Sequence, residues 1–218
     1  MRPGEFTTLE AAYLASACLT EPAKTRAPIA PREVLFRTAL GWPSAEAPVT
    51  ERTVSKAIEE KIVSPSKAAR VKVDEGAVLY LVSAKRLEGV RLSREAKARL
   101  YGALRRSRGR GRRNWRWKIA PTLYFTPGRE LGRWHALVDT YARDRHRHVA
   151  SDPEILGGTP IIRGTRISVH GVLARLAGGD TMDDLVADYP EVSRAAFEAA
   201  VVYARTHPRR GRPARRLR

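Results

Sequence analysis

Asp152 to Val169 reads DPEILGGTPIIRGTRISV. Within it Pro153, Gly157, Gly158, Pro160 and Gly164 surround a short run of β-branched residues. Glycine permits positive φ, while proline fixes φ and removes a donor. The text predicts a tight turned strand pair whose apolar content is Ile155, Ile161, Ile162, Ile167 and Val169. No metal box, nucleophile elbow or phosphate loop is written into it.

Outward from this stretch, the next forty residues are punctuated as three short helices. Ser168 is placed to cap the first, with Val169, Val172, Leu173, Leu176 and Ala177 on one face and Gly178-Gly179 at its end. Thr181 caps the second, and Asp184 three residues on gives a short capping box. Met182, Leu185, Val186 and Tyr189 form its apolar face, and Pro190 ends it. Ser193 caps the third, with Val192 and Phe197 spaced as a hydrophobic staple. Phe197, Ala200, Val201 and Ala204 continue the stripe towards Pro208. Three helices with brief turns make a bundle of helix-turn-helix size.

Asp152 to Pro213 resembles a domain of formerly unknown function with the pattern DPxIxGGxPxIxGTRI followed by a small helical bundle. The matching text is DPEILGGTPIIRGTRISV, then AGGDTMDDLVADYP, then AVVYARTHPRRGRP. Longer members of that family look like VapB-type antitoxins paired with PIN-like ribonuclease toxins. The resemblance implies a toxin partner and a basic tail that contacts it. Arg209, Arg210 and Arg212 match the family's basic Pro-x-x-Gly-Arg-Pro end. PIN-like toxins gather carboxylates around a divalent metal, and a guanidinium pairs bidentately with a carboxylate.

The 218 residues carry a net charge of +18, and its location matters more than its size. Arg105 to Lys118 holds eight basic residues and no acid, and Arg209 to Arg218 holds six arginines and no acid. These two segments contain most of the excess, a distribution suited to a polyanion or an acidic protein partner. A lone cysteine, Cys18, excludes an internal disulfide framework and fits a reducing compartment. A small helix-face hydrophobe is its expected role. The start shows no signal peptide, and no run reaches membrane-spanning length. A cytoplasmic protein without membrane contact is expected.

The first ninety residues read as a DNA-binding head. Thr7 and Glu10 have capping-box spacing, Phe6 and Ala11 can staple the same start, and Leu9, Ala12 and Tyr13 line a face. A further helix is expected near Arg32 to Leu40. Thr50 caps a strong helix with Val49 and Val54 as staple, Val54, Ala57, Ile58 and Ile62 inward, and Arg52, Ser55, Lys56 and Glu59 outward. Val71 to Ser83 reads as a hairpin around Asp74-Glu75-Gly76, with Val73, Val78, Leu79, Tyr80, Leu81 and Val82 as strand formers. Short helix, capped helix and hairpin together look like the winged head of MerR-type regulators. The long stretch from Ser16 to Pro48 departs from that pattern.

A DNA-reading helix needs short polar or basic side chains near its start, with flanking cations on phosphates. Arg52, Thr53, Ser55 and Lys56 meet that need, and Arg70 and Lys72 suit the flank. Arg108, Arg110, Arg112 and Arg113 form an arginine–glycine run able to follow a nucleic-acid backbone. Trp115, Trp117 and Ile119 alternate with Arg116 and Lys118 at strand periodicity. Ser93 can cap a helix carrying Ala96, Leu100 and Leu104, and Leu131, Trp134, Val138 and Tyr141 recur at helical spacing. His146 and His148 near Asp144 lack closed metal-ligand spacing.

The expectation is therefore a mainly α protein with small β elements. Residues 1–92 form a winged helix-turn-helix-like head, 93–148 a basic and aromatic bridge, 149–208 a three-helix domain preceded by a β-hairpin, and 209–218 an arginine-rich tail. The expected function is that of a non-enzymatic type II antitoxin without cofactor or metal. It would bind a PIN-like ribonuclease toxin and, as a homodimer, its own operator DNA. The alternatives are a stand-alone transcription regulator and an RNA-binding protein using the arginine–glycine run.

Overall fold

A computed structural model describes residues 4–19, 30–40, 42, 48–66, 71–107 and 116–209. The protein is mainly α-helical with small antiparallel strand pairs, and it divides into two units, Met1–Arg147 and His148–Arg218.

The first unit is built around α1 (Thr8–Leu19). Its start is closed reciprocally: Thr7 N–H donates to the Glu10 carboxylate at 2.7 Å, and Glu10 N–H donates to Thr7 Oγ1 at 3.2 Å. Every residue from Glu10 to Cys18 is buried, so the helix is surrounded rather than half exposed as the Leu9-Ala12-Tyr13 stripe predicts. Ala11, Ala12, Ala15, Ala17 and Cys18 are short enough to let neighbours approach on every side. Before it, β1 (Glu5–Thr7) pairs antiparallel with β2 (Lys72–Asp74), setting the wholly buried Phe6 opposite Val73. α2 (Pro31–Leu40) buries Val34 and Leu35 and accepts the Tyr13 hydroxyl at the Leu35 carbonyl.

α3 (Glu51–Glu59) begins where its text says. Thr50 is the N-cap, and Val49 and Val54 are both buried beside it. Ser16 on α1 ties down the approach to this helix, donating to the Val49 carbonyl at 3.1 Å and accepting from Val49 N–H at 3.3 Å.

The hairpin expected over Val71 to Ser83 does not form. Only Lys72–Asp74 is strand, and α4 (Glu75–Arg86) follows directly. Asp74 is an N-cap whose Oδ1 accepts from Ala77 N–H at 3.0 Å. Val78, Leu79, Tyr80, Leu81 and Val82 are all buried, as one solid apolar run. Such a run has no period to distinguish a buried strand from a buried helix, and the cap decides it. Ser66 N–H donates to the Lys72 carbonyl at 2.7 Å.

Gly76 is not a turn glycine but a contact between helices. A Cβ there would lie 2.7 Å from the Cα of Arg105 on α5 (Arg94–Arg106). Ser93 caps α5 as expected, accepting from Ala96 N–H at 3.2 Å. Residues 93–147 thus supply the first unit with α5, the pair β3 (Trp117–Lys118) and β4 (Tyr124–Phe125), and nearly all of α6 (Glu130–His148). The alternation predicted around Trp117 appears as the β3–β4 register, with the Trp117 and Phe125 rings stacked. Leu131, Trp134, Val138 and Tyr141 are buried along α6 at the helical spacing read for them.

Ion pairs join α6 to the start of the chain. Glu10 is fully buried and accepts from both Tyr141 Oη and the Arg145 guanidinium. Burial works against the charge of Arg145, but Glu10 and Tyr141 outweigh it and hold the guanidinium above its usual pKa. Arg32 grips Asp144 with two bonds of 2.8 and 2.9 Å.

In the second unit, β5 (Val149–Ala150) pairs antiparallel with β6 (Ile161–Ile162). The strand pair thus takes one partner from just before the quoted motif. Between them, Leu156, Gly157 and Gly158 all adopt left-handed backbone, with φ of 48°, 60° and 79°. Gly164 has φ 79°, as its turn requires, and the Thr165 hydroxyl donates to the Ile162 carbonyl at 2.9 Å. The chain returns beside β6 through Ile162 N–H to the Ile167 carbonyl and Val169 N–H to the Pro160 carbonyl.

α7 (Val169–Ala177), α8 (Met182–Asp188) and α9 (Arg194–Thr206) start at Ser168, Thr181 and Ser193, the three caps read from the text. α9 packs along α7 and across β5 and β6, and Phe197 is wholly buried, with Val192 5% exposed. Leu173 and Leu176 are only half-buried and Ala177 is exposed, so the α7 stripe is narrower than its text.

Candidate nucleic-acid interface

α3 is the helix on which the expected reading residues fall. Val54 and Ala57 bury one face in contact with α1, and the opposite face is turned out. Arg52 and Lys56 are exposed and one turn apart, so they share that face. Arg52 makes no ion pair with another described residue, while Lys56 Nζ lies 4.0 Å from Glu60 with its side chain 73% exposed. Ser55 is half-buried beside them.

Two of the predicted residues have other partners. Thr53 completes the capping box: its Oγ1 accepts from Thr50 N–H, Thr50 Oγ1 accepts from Thr53 N–H, each at 3.4 Å, and the hydroxyls are 3.1 Å apart. Thr53 therefore sets where α3 starts. Lys72, on β2, is 19% exposed and lies 3.8 Å from Glu5 across the strand pair, a partner that directs it to β1 rather than into solvent. Arg70, Arg108, Arg110, Arg112, Arg113, Arg210 and Arg212 lie outside the described residues.

The long basic block is not uniform where it can be followed. Arg105 pairs with Asp74 at 2.8 Å, and Arg116 lies 4.0 Å over the ring of Tyr124. Arg105 is charge-paired, whereas Arg116 is held by a neutral ring and keeps its charge.

The far end of α3 holds residues that sequence reasoning did not single out. A cavity of about 400 Å³ opens there, lined by Glu59, Glu60, Lys61, Arg94 and Lys97. Lys97 Nζ sits 3.1 Å from Glu60. Lys61 has φ 54°, one of two non-glycine residues with positive φ among the described residues. The available signal was negative: the periodic pattern of α3 ends in Glu-Glu-Lys, with no glycine where a helix commonly stops.

In the second unit, Arg175 and Arg194 are matched by acids of the same unit. Arg175 bonds Asp180 and Asp188, and those hydrogen bonds, Asp188 first, raise its pKa. Arg194 pairs with Asp183. Asp183 and Asp184 stand in the first turn of α8, as read, and Asp184 closes the capping box with Thr181. Arg166 and Arg209 are exposed and make no ion pair with a described residue. Arg209 is the one predicted toxin-binding residue within the described chain, just beyond the end of α9. No group of three or more His, Cys, Asp or Glu is placed to hold a metal among the described residues. None of their helices is long and apolar enough to cross a membrane.

Residues 149–204, which contain β5 to α9, match the family described as "Protein of unknown function (DUF433)". A similar stretch occurs in the uncharacterized protein y4eO of Sinorhizobium fredii, 41% identical over 64 residues. That match spans 29% of this chain and 29% of the relative. No solved structure matches the chain.

Proposed function

We propose that this chain is the antitoxin of a type II toxin–antitoxin pair and represses its own operon. The α1–α3 helix pair binds operator DNA, with Arg52, Ser55 and Lys56 on the side facing the duplex. The second unit and its arginine tail hold a PIN-like ribonuclease toxin. The observation that carries the DNA half is α3 itself: a capped helix fixed to α1 on one face and presenting on the other Arg52, which makes no ion pair with a described residue. The toxin half rests on the resemblance of Asp152–Pro213 and on Arg209, exposed and without an ion pair among the described residues. A homodimer sets two such helices on paired half-sites.

The test has two arms. Arg52→Ala with Lys56→Ala, in the full chain, weakens binding to duplex from the region upstream of the coding sequence and flattens its salt dependence. Unchanged affinity and slope remove α3 from the interface. Truncation after Pro208 leaves DNA binding in place and restores RNA cleavage by the neighbouring PIN-like protein. Equal inhibition by full-length and truncated chains excludes the tail. Absence of any such neighbour leaves a stand-alone regulator.

A further inference from the structure

Lys61 occupies a backbone position that ordinarily belongs to glycine. α3 closes with Lys61 N–H donating to the Ile58 carbonyl at 2.8 Å and Ile62 N–H donating to the Ala57 carbonyl at 3.1 Å. These are the paired bonds of a Schellman motif, and the buried Ile62 and Ala57 stand at the positions whose apolar contact accompanies it. The motif needs left-handed backbone at the residue after the cap, and Lys61 supplies it with φ 54°. There a Cβ crowds the following carbonyl, which glycine avoids. A strained backbone carrying a long cation points to a use for the side chain.

Its surroundings indicate the use. Lys61 is exposed and borders the cavity between the end of α3 and the start of α5. Of the acids there, Glu60 is held by Lys97 at 3.1 Å and lies 4.0 Å from Lys56. Neither Lys61 nor Arg94 makes an ion pair with a described residue; Glu59 borders the same cavity, and Glu95 lies within the field of Arg94. Distance also fits. Arg52 and Glu59 are seven residues apart on α3, roughly 10 Å along the helix, and Lys61 lies just beyond its end. The major groove of a duplex is about 12 Å wide. With the start of α3 at the base edges, Lys61 reaches the phosphate wall on the far side.

We infer that Lys61, together with Arg94, is a phosphate clamp for duplex DNA at the C-terminal end of α3. The inference rests on the DNA-binding reading and adds a contact to it. Lys61 trades backbone comfort for charge, so affinity and stability should respond in opposite directions.

The probe is a labelled duplex of arbitrary sequence, because phosphate contacts are independent of sequence, titrated across a salt series with the full chain. Lys61→Gly and Lys61→Asn both suit left-handed backbone and both remove the charge. Each is expected to hold or raise the melting temperature, by about 2–4 °C for glycine. Each is also expected to lower affinity roughly threefold or more at low salt and to reduce the salt slope by about one. Lys61→Arg keeps affinity and slope. A fall in melting temperature overturns the strain argument. Unchanged affinity, or reduced affinity with an unchanged slope, overturns the clamp. Arg52→Ala separates the two readings: if it weakens binding while the Lys61 variants do not, DNA binding stands and the clamp falls. If the wild-type chain does not bind the duplex at low salt, both fall.

Discussion

Gly76 and Gly164 resist a side chain for opposite reasons. At Gly164 the backbone is left-handed, φ 79°, and nothing lies within 4 Å of a would-be Cβ. Replacement by Ala is conformational strain alone, about 1 kcal/mol. Asn, which tolerates that backbone, should recover much of the loss. At Gly76 the obstacle is Arg105 Cα at 2.7 Å, a backbone atom with little freedom to move. Gly76→Ala should cost about 1–3 kcal/mol by forcing α4 from α5, and Asn should be worse than Ala. Denaturant titration of the four variants checks the pattern. Asn rescuing position 76, or failing to improve on Ala at 164, would reverse the two assignments. Gly164 was legible because a turn needs only its neighbours. Gly76 was misread as a turn because its partner lies on the following helix, beyond any local pattern.

Five helices were legible because a local cap wrote their start. Thr50, Ser93, Ser168, Thr181 and Ser193 each accept the expected backbone N–H. α4 was missed although Asp74 caps it, since the strand-forming composition from Val78 to Val82 outweighed one polar residue. Phe197 is the strongest test of the seam between α7 and α9. Phe197→Ala removes a wholly buried ring and should cost about 3–5 kcal/mol by chemical unfolding, and a loss under 1 kcal/mol would mean the seam does not depend on it. α8 carries a pH dependence of known sign. Hydrogen bonds from Thr181, its hydroxyl first and its N–H second, hold the Asp184 carboxyl below the usual aspartate range. A depressed folded value means the contribution is present above the ordinary value of about 3.9 and lost as pH falls through the folded one. Amide exchange at the first turn of α8 should therefore gain opening as the solution is acidified below that value. Asp184→Ala should be equally open on both sides of it.

At the scale of the molecule, the first unit depends on a pair that no local reading reveals. Glu10 and Arg145 stand at opposite ends of that unit's sequence and meet where Glu10 has no access to solvent. Removing one partner strands the other, so Glu10→Ala should cost about 3–5 kcal/mol, and Glu10→Gln, which keeps an acceptor for Tyr141, somewhat less. Loss of amide protection along α1 and α6 is the expected signature. Protection unchanged in both helices would make the pair dispensable. Charge, too, looked different once folded. The block from Arg105 to Lys118 reads as one cationic patch, yet Arg105 answers Asp74 and Arg116 covers Tyr124. Lys61 is hard to pick out in the sequence because Glu59 and Glu60 precede it, and folding gives Glu60 to Lys97.

Cys18 has a practical consequence. The chain contains one cysteine, and its side chain is fully enclosed within the helix at the centre of the first unit. Burial pushes the thiol up to about 12, so while that helix is enclosed it offers almost no thiolate to a reagent. Labelling can therefore proceed only as fast as the surrounding helices part. Mass spectrometry after timed exposure to an alkylating agent would count those openings directly. No engineered probe is required: the protein carries its own clock, wound by the packing around α1.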